Sequence, residues 1–206
     1  VDGGGAQFLL VPPVDTQQPH QVVHVALQGA QVGIDEAHRV VDLVGHARRQ
    51  LADGSGGDGH VVELAGRPLL CIDTPGHALH HYSVWDAATR SWFAGDTFGL
   101  SYREFDTAMG AFVVPTTSPV QFDPQQMHAS IDTLLARAPE SIRVAHYGEV
   151  DDCVRLGADL HEQIDAMVSL AQACDGQPDR HRALVAALSE YYLERARAHG
   201  VALDDA

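Results

Sequence analysis

Lysine and asparagine are both missing from this chain of 206 residues, and its thirteen basic side chains are all arginine. The first absence settles a question raised by residues 69 to 86, LLCIDTPGHALHHYSVWD, where an apolar run ends in Asp73-Thr74-Pro75-Gly76-His77. GTP-hydrolysing proteins use Asp-Thr-Pro-Gly-His after a buried strand, beside the γ-phosphate. They also need a G-x-x-x-x-G-K-[ST] loop, whose lysine neutralises phosphate charge. Without lysine that loop cannot form. Without lysine and asparagine a guanine-reading Asn-Lys-x-Asp cannot form either. This chemistry is excluded.

Positive charge is scarce as well. Twenty-eight acidic residues against 13 arginines leave a formal charge of −15. Nucleic-acid surfaces need clustered positive charge to meet phosphates, so no nucleic-acid partner is expected. The same balance argues against docking on an anionic membrane. No apolar run approaches the ~18 residues of a membrane-crossing helix. No charged stretch followed by an apolar one marks a secretory signal. The three cysteines (Cys71, Cys153, Cys174) are odd in number and lack metal-type spacing, which reads as reduced thiols of a cytoplasmic protein.

Aromatic residues are unevenly spread. Phe8 is followed by no Phe, Tyr or Trp until Tyr82, while eleven of the 19 glycines fall within the first 66 residues. Aromatic side chains supply much of a core's buried area, so residues 1–57 are expected to be poor core material. One helical pattern appears there, with Ala37, Val40, Val41, Val44, Ala47 and Leu51 at helix spacing, ended by DGSGGDG at 53–59. It predicts a helix over about 35–51. The chain therefore divides into a glycine-rich segment, 1–57, and a region 58–206 with ordinary core composition.

From residue 60 the patterns sharpen. VVELA (61–65) and PLLCID (68–73) predict one hairpin; YSVWD (82–86) and SWFAGD (91–96) predict another. Residues 99–123 read as a long loop. Asp123-Pro124 is an N-cap with proline at the first helical position, opening a helix marked by Met127, Ile131, Leu134 and Leu135. IRVAH (142–146) reads as a short buried strand. Cys153, Leu156, Leu160, Ile164, Met167 and Ala171 hold an apolar stripe, and a last helix over 179–198 carries Leu184, Leu188, Tyr191 and Arg195.

Three short motifs share one position in this scheme. Thr74-Pro75-Gly76-His77 follows a strand, Gly95-Asp96-Thr97 ends a strand, and Ala145-His146-Tyr147-Gly148 ends a third. Residues at strand ends can converge on one sheet edge. Two imidazoles and a carboxylate suit zinc or iron, and the chemistry then available is attack by a metal-activated water on a polarised carbonyl or related bond. Asp96 by itself reads as a turn residue; the ordered set of three motifs gives it meaning. His80 and His81 fit orienting or surface roles, and Tyr102, Arg103 and Tyr147 lie near the motifs.

In wording and spacing, GHVVELAGRPLLCIDTPGHALHHYSVWD, SWFAGDTFG and RVAHYGEV resemble the metallo-β-lactamase superfamily over roughly residues 59–175. The resemblance implies an α/β fold, a partial αβ/βα sandwich with C-terminal helices. It implies that His77 binds a first metal, Asp96 bridges two, and His146 binds the second, with zinc as the expected metal and a small molecule as substrate. Members also carry His-x-His-x-Asp-His upstream, and here that motif is absent: His20, His24, His38, His46 and His60 lack its spacing. His38, Asp42 and His46 share one face of the helix predicted over 35–51, the pattern of a solvated face. The expectation is a metal-dependent hydrolase acting on a small ester, lactone, thioester or related bond, with activity impaired by the missing motif. A truncated chain or a frame-shifted or spliced beginning accounts for the gap, and the scarcity of aromatics favours these. The alternative is a non-catalytic relative serving in binding or assembly.

Overall fold

A computed structural model describes residues 58–64 and 66–203. The helix expected over 35–51, the histidines before residue 58 and the 1–57 segment as a whole lie outside the described residues.

The two expected hairpins form. β1 (Val61–Leu64) pairs with β2 (Arg67–Asp73), and β3 (Tyr82–Asp86) pairs with both β2 and β4 (Ser91–Gly95), all antiparallel. The chain then crosses over through a short pair, β5 (Leu100–Ser101) with β6 (Val113–Val114), and helix α1 (Pro124–Leu135). It returns as β7 (Ser141–Val144), parallel to β4, because a parallel neighbour cannot be reached by a tight turn. β8 (Gly148–Val150) completes a six-stranded sheet in the order β1-β2-β3-β4-β7-β8. Two long helices follow, α2 (Cys153–Ala173) and α3 (Arg180–Ala198). The result is a mixed α/β fold.

α1 begins where the sequence places it. The Asp123 carboxylate accepts from the Gln126 N–H at 3.0 Å, and Pro124 gives up an amide that has no partner within the helix. Its stripe of Met127, Ile131 and Leu134 meets Leu156, Leu160 and Ile164 of α2, together with Trp92 and Ile142 from the sheet. All eight are fully buried. Removing a side chain of this kind from water contributes roughly 1.5–3 kcal/mol. Trp92 also donates its indole N–H to the Leu134 carbonyl at 2.9 Å, which fixes the end of α1 over β4. A smaller cluster of Val62, Leu69, Cys71 and Val84 lies apart from this core.

The structure departs from the sequence reading in three places. The stretch 99–123 is not wholly loop: it holds β5, β6 and a single 3-10 turn, Arg103–Phe105. Strand β8 was not expected, since Gly-Glu-Val is too short to show alternation; Tyr147 (φ 76°) and Gly148 (φ 90°) turn the chain back onto β7. The stripe of α3 packs shallowly. Of its residues only Ala196 is buried, and Arg195 and Tyr192 tie the helix to α2 through Glu162 (2.8 Å) and the Met167 sulfur (3.2 Å). The three cysteines are free and buried, as thiols. Among the described residues no helix is long and apolar enough to cross a membrane.

Candidate metal centre

The strand order brings the three motifs together. β2 and β4 each run antiparallel to β3, and β7 runs parallel to β4, so β2, β4 and β7 all point the same way. Their C-terminal ends lie on one edge of the sheet, with β4 and β7 adjacent and β2 one strand further off, neighbouring strands being about 4.8 Å apart. His77, Asp96 and His146 follow these three ends.

Asp96 is where they meet. The Nε2 of His77 lies 3.7 Å from one carboxylate oxygen, Oδ2, and the Nε2 of His146 lies 3.5 Å from the other, Oδ1. Asp96 is 28 % exposed at its side chain, His77 15 % and His146 51 %, so the cluster opens to solvent on the His146 side.

The ring of His77 is oriented by its far nitrogen. Nδ1 lies 3.0 Å from the Thr116 carbonyl, which can only accept. Nδ1 therefore carries a proton, and Nε2 is turned toward Asp96. A backbone carbonyl on the second ring nitrogen is the usual orienting partner of a metal-binding imidazole. Thr116 serves both residues, since its hydroxyl donates to the Asp96 carbonyl at 2.6 Å.

Backbone close approach explains the glycine of Thr-Pro-Gly-His. Gly76 has φ 130°, and a Cβ there would fall 2.4 Å from the backbone of Met127. The turn sits directly on the start of α1: the Asp123 N–H donates to the Gly76 carbonyl at 2.8 Å, and Ser130 donates to the Pro75 carbonyl at 2.6 Å. Thr74 turns inward and is fully buried.

His81, which the sequence reading left between an orienting and a surface role, is an orienting residue. Its Nε2 accepts the Asp96 N–H at 3.1 Å. Its Nδ1 therefore bears the proton and donates to the Thr97 hydroxyl at 2.8 Å; that hydroxyl in turn donates to the Thr74 carbonyl at 3.2 Å. One ring thus ties the end of β4 to the β2–β3 turn. A Cβ on Gly95 would lie 2.7 Å from His81 Nε2, so the glycine before Asp96 makes room for this ring. The signal was in the sequence as a histidine four residues after His77, but nothing in spacing distinguished it from His80, which is exposed.

His146 is held from behind. The Ser101 N–H donates to its carbonyl at 3.5 Å, and Arg103 donates from Nε to the Tyr147 carbonyl at 2.9 Å and from Nη2 to the Glu149 carbonyl. Tyr102 and Tyr147 pack ring to ring with centroids 4.9 Å apart. Burial, first, and the neighbouring Tyr147 and Glu104 push the Tyr102 phenol up to about 12. Arg103 and the two tyrosines support the β7–β8 turn that carries His146.

Chemically, the donor types fit a metal and the donor count falls short. A carboxylate with one imidazole facing each oxygen is the pattern of a bridge between two ions. Yet among the described residues no three His, Cys, Asp or Glu side chains close on one point as the ligands of a single ion do. Each prospective ion would have one imidazole nitrogen and one carboxylate oxygen, where structural and catalytic zinc sites commonly have three or four protein ligands.

No family model matches the sequence, and no curated protein matches it. Several solved structures do. A metallo-β-lactamase family protein from Thermus thermophilus aligns with a TM-score of 0.47 at 21% identity, over 70% of this chain and 49% of its own. An archaeal metallo-β-lactamase superfamily protein from Sulfolobus tokodaii gives 0.42 at 24% identity, over 68% of this chain and 50% of its own. A β-lactamase domain protein from Burkholderia ambifaria gives 0.49 at 20% identity, over 70% and 44%. The chain spans about half the length of these structures. The first two of these structures are named as metallo-β-lactamase family or superfamily proteins.

Proposed function

We propose that this chain is part of a metal-dependent hydrolase of the metallo-β-lactamase type, with His77, Asp96 and His146 as metal ligands and zinc as the metal. The observation that carries the reading is the convergence of two imidazole nitrogens on the two oxygens of one carboxylate, His77 Nε2 at 3.7 Å and His146 Nε2 at 3.5 Å from Asp96. Asp96 is the bridge, and His81 and Thr116 hold its backbone at both N–H and carbonyl. A bound divalent ion would supply an activated water and a Lewis acid for a small ester, lactone, thioester or related bond. The acidity of the chain disfavours polyanionic substrates.

With so few donors per ion, zinc binding at the Asp96 site is expected to be weak and substoichiometric, and hydrolysis slow. Zinc uptake measured by chelator competition tests this: His77→Ala should remove the share of uptake that the Asp96 site holds, while His38→Ala should leave uptake unchanged. Two tightly held ions per chain would overturn the expectation of impairment. The short donor count equally favours a second reading, a non-catalytic relative used in binding or assembly. A panel of lactone, thioester and β-lactam substrates separates the two, since measurable zinc-dependent turnover is compatible only with the enzyme.

A further inference from the structure

A second histidine pair lies between the two core helices. His128 and Asp132 stand four residues apart on α1, and His161 and Asp165 stand four residues apart on α2. The pairs cross: His128 Nε2 lies 3.1 Å from Asp165 Oδ1, and His161 Nε2 lies 3.1 Å from Asp132 Oδ1. The imidazole planes are nearly parallel, 14° apart with centroids 4.8 Å apart, and their Nδ1 atoms meet edge to edge at 2.5 Å.

Proton placement makes this arrangement informative. A carboxylate oxygen accepts, so each Nε2 is the donor to its aspartate. That assigns a proton to both Nε2 atoms and leaves both Nδ1 lone pairs aimed at each other. Two bare lone pairs at such a distance repel unless a proton or a metal ion sits between them. A carboxylate on the far nitrogen is also the arrangement that orients an imidazole and raises its basicity as a metal ligand. Both rings are about a quarter exposed, 26 % and 28 %, so an ion can reach them from solvent.

We propose that His128 and His161 form a binding site for one late first-row divalent cation, such as zinc, with Asp165 and Asp132 as their orienting partners. No third His, Cys, Asp or Glu joins them among the described residues, so water completes the coordination. Bonds of ~2.0–2.1 Å at a roughly tetrahedral angle set the two nitrogens ~3.3 Å apart. The rings must therefore part by somewhat under ~1 Å, which small side-chain rotations at two partly exposed positions supply. A bound ion would link α1 to α2.

Zinc titrated into the full chain carrying His77→Ala and His146→Ala, which removes the imidazoles beside Asp96, tests the site. One zinc per chain is expected, with the ring signals of His128 and His161 shifting in a proton NMR spectrum and the melting temperature rising. Adding His161→Gln should lower affinity at least tenfold and remove the melting shift. Adding Asp132→Asn and Asp165→Asn instead should keep one zinc per chain but weaken it about 10–100-fold. Circular dichroism confirms that each variant is folded. No uptake by the parent at millimolar zinc would overturn the proposal, because a shared proton would then account for the pair. Uptake unchanged by His161→Gln would overturn it as well.

Discussion

Gly76→Ala probes the link between fold and site most directly. The new methyl would fall 2.4 Å from both the Cα and the N of Met127 and 2.8 Å from its Cβ, all atoms at the start of α1 that cannot swing aside. Two costs add. A non-glycine residue at φ 130° sits in sparsely populated backbone space, about 1–3 kcal/mol. Forcing a methyl into a filled contact costs typically another 1–3 kcal/mol. A loss of roughly 2–6 kcal/mol follows, a large share of the ~5–15 kcal/mol that holds a domain together. The strain is relieved by lifting the Thr-Pro-Gly-His turn off α1, which breaks the Asp123–Gly76 backbone bond and the Ser130–Pro75 bond. His77 then leaves Thr116, and its Nε2 no longer faces Asp96. Urea unfolding followed by tryptophan fluorescence measures the first effect, since Trp92 lies in the core; zinc uptake measures the second. A stability loss below about 1 kcal/mol, or unaltered zinc uptake by a variant that has lost 2–6 kcal/mol, would refute the reasoning.

Three further outcomes are expected. His81→Ala strips the Asp96 N–H and the Thr97 hydroxyl of their partner and should cost about 2 kcal/mol in urea unfolding; a change within ~0.5 kcal/mol would mean His81 orients nothing. At Asp86, burial favours the protonated acid, but bonds from Thr89, Arg67 and the Ala88 N–H outweigh it and hold the carboxyl below its ordinary value. A depressed carboxyl contributes stability above its unfolded value, near ~3.9, and that stability is lost as pH falls through the folded value. Asp86→Asn should therefore be less stable than the parent at pH 7 by about 1–3 kcal/mol, and the gap should close below about pH 4; a gap independent of pH would sink this account. Burial raises the Cys71 thiol and, more strongly, Cys153, to about 11, and Cys174 is buried too. Thiol reagents at pH 8 should label none of the three until the chain is unfolded, and rapid labelling of the native protein would contradict this burial.

Local rules carried the sequence reading a long way. Short runs of apolar and aromatic residues bounded by turns marked the four strands between Val61 and Gly95, because a hairpin is built from near neighbours. Asp123-Pro124 announced α1 because capping is chemistry between adjacent residues. Thr-Pro-Gly-His, Gly-Asp and Ala-His were legible as motifs because each occupies one turn. Residue type alone excluded the nucleotide-hydrolysing use of Asp-Thr-Pro-Gly-His.

What the sequence could not show depends on separations that only folding closes. His77 and His146 lie 69 positions apart, and they approach one carboxylate because β2, β4 and β7 point the same way in the sheet. That direction follows from the crossover through α1, which no local pattern encodes. The proton on His77 is set by a carbonyl 39 residues away and the orientation of Asp96 by a ring 15 residues before it. Strand β8 owes its existence to two left-handed residues and a neighbour already in place, since three residues carry no period of their own. The crossed histidines of α1 and α2, 33 residues apart, each looked like one polar position on an amphipathic helix. Helix packing aimed them at each other, because the apolar stripes behind them determine which polar edges of the two helices must meet.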